Sequence, residues 1–132
     1  MSCKVTEEIK VVPVIAPVAQ TAGGNTTGAY LACPPELGSI DFVVRGGALA
    51  SGKALTVEVY QASDTAGTGA AEITSYETTV TAGSSGETDV LVTVSVDNAD
   101  VTKGFVTVKA TNTSASAYPL DAFALVRKEH CK

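Results

Sequence analysis

Leu55-Thr-Val-Glu-Val-Tyr-Gln-Ala-Ser-Asp-Thr-Ala-Gly-Thr-Gly-Ala-Ala-Glu-Ile73 decides the fold class. Leu55, Val57 and Val59 alternate with Thr56, Glu58 and Tyr60, the period of two that puts one set of side chains on each face of a strand. Ser63 to Ala70 then brings together small and turn-forming residues, and Ala71-Glu-Ile73 begins another strand. The stretch reads as one corner of an antiparallel β-sandwich.

The same grammar extends in both directions. Upstream, Ile40, Phe42 and Val44 share one face of a strand from Ser39 to Arg45, with Asp41, Val43 and Arg45 on the other. Downstream, Glu72 to Thr81 reads as a single strand and Ala82-Gly-Ser-Ser-Gly-Glu87 as a hairpin loop. Val90, Val92, Val94 and Val96 then line one face of the next strand. Val106, Val108 and Ala110 continue the pattern after Lys103-Gly104, and a last strand runs from about Ala117 to Arg127. That strand is apolar on both faces, which predicts a central place in its sheet or a cover from another subunit. No stretch has a helical period with caps.

The predicted fold is all-β: a single antiparallel β-sandwich of seven to eight strands, with jelly-roll or immunoglobulin-like connectivity left open. Residues 21–132 form the sandwich, with Ala22 to Gly28 as a loop and Ala29 to Cys33 as a short strand. Residues 1–20 form an extended N-terminal arm or an edge strand, because Pro13 and Pro17 cannot donate to a ladder.

Composition bounds the function. The chain has 132 residues, enough for one domain, and a formal net charge of −5 that opposes attraction to a phosphate backbone. No nucleic-acid partner is expected. The apolar run Val11 to Ala19 is far shorter than the ~20 residues of a membrane span and holds two prolines, so no membrane partner is expected either. Glu7 and Glu8 stand where a secretory signal would turn apolar, which predicts a protein made in a host cytoplasm without a signal peptide. Cys3, Cys33 and Cys131 are widely spaced and odd in number, as expected of reduced thiols, although Cys3 and Cys131 could meet at the two ends of the chain.

Each candidate chemistry lacks a part. Asp64-Thr-Ala-Gly67 is similar to the Asp-Thr-Gly turn of aspartic proteases, but Ala66 replaces its glycine, and the segment reads better as a hairpin turn. A nucleophile needs a histidine base, and the single histidine, His130, is third from the end. Cys3, His130 and Cys131 lack a fourth zinc ligand and the usual spacing. Asp97, Asn98 and Asp100 depart from calcium-loop spacing. Gly23 to Gly28 lacks the lysine and helix of a phosphate loop. With no Trp there is little for a sugar to stack on, beyond Tyr30, Tyr60, Tyr76 and Tyr118 if they cluster. The expectation is a non-enzymatic protein without catalytic, cofactor-binding or metal-binding residues.

Val57 to Ile73, Lys103-Gly-Phe-Val-Thr-Val-Lys-Ala-Thr-Asn-Thr113 and Ala122-Phe-Ala-Leu-Val126 together resemble small β-sandwich structural proteins of tailed bacteriophages. Among these the chain is most similar to head decoration, or cement, proteins, over about residues 38–127. The resemblance implies a homotrimer on the outer capsid surface of the virion, tying major capsid subunits together. Candidate capsid or subunit contacts are Val11, Val12, Val14, Ile15 and Val18 in the N-terminal segment, with Phe123 and Leu125 in the last strand. A tail, vertex or head-fibre protein binding host glycans and a head–tail completion protein are the alternatives.

Overall fold

A computed structural model describes residues 5–34 and 38–131, with side chains over 9–34 and 38–126. Among the described residues, ten strands build two antiparallel sheets: β1 (Val5–Gln20), β2 (Asn25–Thr27), β3 (Leu31–Ala32), β4 (Ser39–Gly46), β5 (Ala54–Ala62), β6 (Ala71–Glu72), β7 (Thr78–Thr81), β8 (Val90–Asp97), β9 (Phe105–Asn112) and β10 (Tyr118–Cys131). The first sheet has the order β1-β10-β4-β8; in the second, β9 and β5 are the central pair, flanked by β2 and β3 on one side and β6 and β7 on the other.

The count of ten corrects the expected seven to eight, and the reason is local. Each edge of the second sheet is one strand position filled by two short pieces. The run from Glu72 to Thr81 is not one strand: a 3₁₀ turn at Thr74–Tyr76 divides β6 from β7. The glycine-rich segment at 22–28 is not all loop, since Asn25–Thr27 pairs with Thr111, Ala110 and Lys109 of β9. With the pieces merged there are eight positions, and the pairing order is that of a jelly roll, in which the first and last strands lie side by side in one sheet. This settles the connectivity that the sequence left open.

The alternation seen in sequence produces the core. Ile40, Phe42 and Val44 of β4, the four β8 valines and Ala122 and Ala124 of β10 face Leu55, Val57 and Val59 of β5 and Val106, Val108 and Ala110 of β9. Each such valine contributes ~1.5 kcal/mol or more by leaving water. The Asp64 turn closes as a loop: its carboxylate accepts from the backbone N–H of Ala66 at 3.0 Å and Thr68 at 3.1 Å. Gly67 and Gly69 supply the positive φ values of 84° and 67° that the turn requires.

Two polar features lock the sandwich. Tyr118, 1 % exposed, donates its hydroxyl to the Gly47 carbonyl at 2.7 Å, and its ring lies so close to Gly46 that a Cβ there would overlap it. Gln20 at the end of β1 and Asn112 at the end of β9 are buried together and join the two sheets.

Candidate functional site

The two outer faces of the sandwich differ in chemistry. On the second sheet Glu58, Tyr60 and Lys109 are half-buried, with Lys109 Nζ 5.6 Å from the Tyr60 ring centroid, and the hydroxyls of Thr56 and Thr79 meet at 3.0 Å. The first sheet carries the exposed large apolar side chains: Ile9, Val11, Val18 and Leu91, exposed by 54, 60, 39 and 65 %, all belong to its strands.

Register explains how the apolar face forms. Val11 lies opposite Leu125, Pro13 opposite Phe123, and Phe123 opposite Val43. Ala122 and Ala124 point into the core, so the intervening Phe123 and the adjoining Leu125 point outward. The Arg45 guanidinium sits 5.9 Å from the Phe123 ring centroid, and its Nε donates to Asp121 at 3.0 Å. Asp41 accepts from the Ser95 hydroxyl at 2.6 Å. The face therefore balances its charges internally around an apolar strip. At one end the strip runs into an open groove of about 780 Å³, whose lining includes Pro17, Val18, Arg45, Leu91, Pro119 and Asp121.

The residues singled out in the sequence divide into two groups. Val11, Phe123 and Leu125 come together on the outer face. Val14 and Ile15 do not join them: they are 6 % and 4 % exposed and belong to the core. Register shifts between Pro13 and Ile15 and between Ile15 and Val18 allow these two consecutive residues to be buried. Val12 lies opposite the buried Ala124 and is half-buried, while Val18 forms the rim of the groove. Pro13, Val43, Leu91 and the groove were missed. Val43 was legible as the outward residue of its strand; the groove depends on long-range pairing and had no local signal.

Residues weighed for other chemistry are placed in turns and packing. Asp97 accepts from the Ala99 N–H at 2.9 Å, Asn98 donates to the Cys33 and Pro34 carbonyls at 3.0 and 2.9 Å, and Asp100 accepts from the Tyr76 hydroxyl. Burial, and then the Asp100 carboxylate, hold the Tyr76 phenol above its usual pKa. Tyr118 lies in the core, so the four tyrosines form no single platform. The side chains of Cys3, His130 and Cys131 lie outside the described residues. Among the described residues no helix is long and apolar enough to cross a membrane.

One cluster was not anticipated. Carboxylate oxygens of Glu58, Glu72 and Glu77 lie within 4.8 Å of one another on the second sheet. A hydrogen bond to Glu58, followed by burial, raises the Glu72 pKa. One Glu72 carboxylate oxygen is buried without a hydrogen-bond partner. The signal was non-local, because β5 and β6 must pair before Glu58 and Glu72 meet.

No family model matches the chain, and no curated protein matches it. Solved structures do. The chain superposes on the infectious bursal disease virus Gx strain structure with a TM-score of 0.55 at 10 % identity, over 96 % of this chain and 33 % of that one. On the VP2 subviral particle of infectious bursal disease virus the TM-score is 0.52 at 11 % identity, again over 96 % and 33 %. The chain spans about a third of the length of these viral chains. At such identities the shared property is the fold.

Proposed function

We propose that the chain is a non-enzymatic structural protein of a virus particle, a decoration protein that binds the outside of a tailed-phage head and ties major capsid subunits together as a homotrimer. The observation that carries this reading is the one-sided apolar surface of the first sheet, with Ile9 and Val11 exposed beside Pro13, Phe123, Leu125 and Val43. A surface of this kind marks a protein–protein contact. The fold shared with the infectious bursal disease virus particle structures supports a particle role, and the sequence resemblance to cement proteins supports the decoration role.

The acidic, rigid sandwich fits a task that needs adhesion and no chemistry. Phe123, stiffened by the Arg45 guanidinium above it, and Val11 serve as apolar anchors, with the Arg45–Asp121 pair at the rim. Purified protein is tested for co-sedimentation with expanded heads that lack it. The wild type is expected to pellet with the heads and Val11→Asp to remain in the supernatant while folded. Binding undiminished by Val11→Asp would overturn the assignment of this face.

A further inference from the structure

The first sheet has β1 and β8 as its edge strands, and the two edges are built differently. On β8 the Asp97 N–H is turned away from β4 and taken by the Tyr76 hydroxyl at 3.0 Å. Antiparallel strands alternate the direction of their backbone groups, so the N–H and C=O groups of Leu91, Thr93 and Ser95 also face the open side. The same alternation carried through β4 and β10 turns the Pro13 nitrogen to the open side of β1. That edge is interrupted by a missing donor at Pro13, a second proline at Pro17 and two register shifts. Those devices protect an edge from pairing. The β8 edge has none: it pairs with β4 in unbroken register from Val90 to Asp97 and contains no proline and no basic residue.

We infer that the open edge of β8 is a strand-addition site for an extended segment of another protein that carries a basic residue at each end. Charge selects the occupant. Asp89 and Asp97 flank the edge, and the run Asp89-Val-Leu-Val-Thr-Val-Ser-Val-Asp97 is nearly symmetric about Thr93. Pairing with a second copy centred on Thr93 opposes Asp89 to Asp97 at both ends, and the register centred on Val92 opposes Asp97 to Glu87; both juxtapose like charges across strands, which is destabilising. The register centred on Val94 opposes Leu91 to Asp97, whose N–H is already taken by the Tyr76 hydroxyl. A strand with lysine or arginine at its ends removes that conflict and pairs its backbone with Leu91, Thr93 and Ser95. Its inward side chains continue the row of Val90, Val92, Val94 and Val96, while its outward ones flank Leu91, which is 65 % exposed at the groove.

The inference concerns β8 of the isolated protein and stands apart from attachment to heads. The probe is the peptide acetyl-Lys-Val-Thr-Val-Thr-Val-Thr-Val-Lys-amide, with a Glu-ended peptide as control, added to ¹⁵N-labelled protein. Leu91, Thr93 and Ser95 amides are expected to exchange freely in the free protein and to slow by about tenfold or more when the Lys-ended peptide binds. Asp89→Lys, a change at an exposed site, is expected to weaken the Lys-ended peptide by roughly two- to fivefold, the size of an exposed ion pair. It should strengthen the Glu-ended one in turn. Unchanged amide exchange, or equal binding of the two peptides, would overturn the inference. Protection of the same amides by raising protein concentration alone would assign the edge to a second copy instead.

Discussion

Asn112 Nδ2 donates to Gln20 Oε1 at 2.7 Å, joining the last residue of β1 to the last residue of β9 across the two sheets. Both side chains are at least 96 % buried, with exposures of 4 % and 1 %, and each is used fully. Gln20 Nε2 donates to Thr26 Oγ1 at 2.8 Å and to the Ala110 carbonyl at 3.0 Å. Asn112 Oδ1 accepts from the Gly23 and Ser114 N–H groups, both at 3.0 Å.

Asn112→Ala leaves the Gln20 oxygen and the two backbone donors without their partner. The expected cost is about 2–4 kcal/mol, from an unsatisfied buried network rather than from lost area. Urea denaturation reads it as a lower midpoint at unchanged slope. Gln20→Leu with Asn112→Leu should cost clearly less than the sum of the single changes, because each single change orphans the other residue.

Gly46→Ala drives a methyl group into the Tyr118 ring and hydroxyl, for an expected loss of about 1–3 kcal/mol. Tyr118→Phe loses the bond to the Gly47 carbonyl and should cost about 1 kcal/mol. Thermal unfolding of the two single variants and the double variant checks both. The double variant should lie above additivity, since removing the hydroxyl relieves part of the overlap.

Stability should vary with pH through two carboxyl groups of opposite sign. The Glu72 pKa is raised above its ordinary value of 4.5, so the folded state holds this proton more tightly than the unfolded state. Its contribution is full below that value and is lost as pH rises through the higher folded pKa. Asp64 is lowered from 3.8 by the hydrogen bonds of its turn, first of all from Thr68, so its contribution is present above that value and lost as pH falls. Glu72→Gln is therefore expected to flatten the decline in stability on the alkaline side of 4.5, measured as midpoints across a pH series.

Neighbouring residues of β1 should separate folding from attachment. Ile15→Ala removes a core side chain and is expected to cost about 2–5 kcal/mol. Val11→Asp alters a side chain that is 60 % exposed and should leave stability within about 0.5 kcal/mol while abolishing binding to heads. Circular dichroism melts and co-sedimentation on the same preparations distinguish the two effects.

The central strands were legible because a period of two survives wherever a strand is regular and covered on one face. Leu55, Val57 and Val59, and the β8 valines, are buried as their alternation predicts. Where the period breaks, so did the reading. Val14 and Ile15 look like consecutive members of an apolar arm, and only the two register shifts against β10 send both inward. The residues from Glu72 to Thr81 have strand composition throughout, yet the 3₁₀ turn at Thr74–Tyr76 interrupts them, with Tyr76 reaching Asp97 and Asp100. The apolar face was half visible. Phe123 and Leu125 stand out in a strand apolar on both sides, but their meeting with Val11 and Pro13 requires the first and last strands to pair.

The most direct test of the particle role is the number of copies of this protein per major capsid subunit in purified particles, measured by quantitative mass spectrometry. The account predicts about one copy per capsid subunit, because only the shell lattice repeats equivalent sites so often. A few copies per particle, or none, would contradict it.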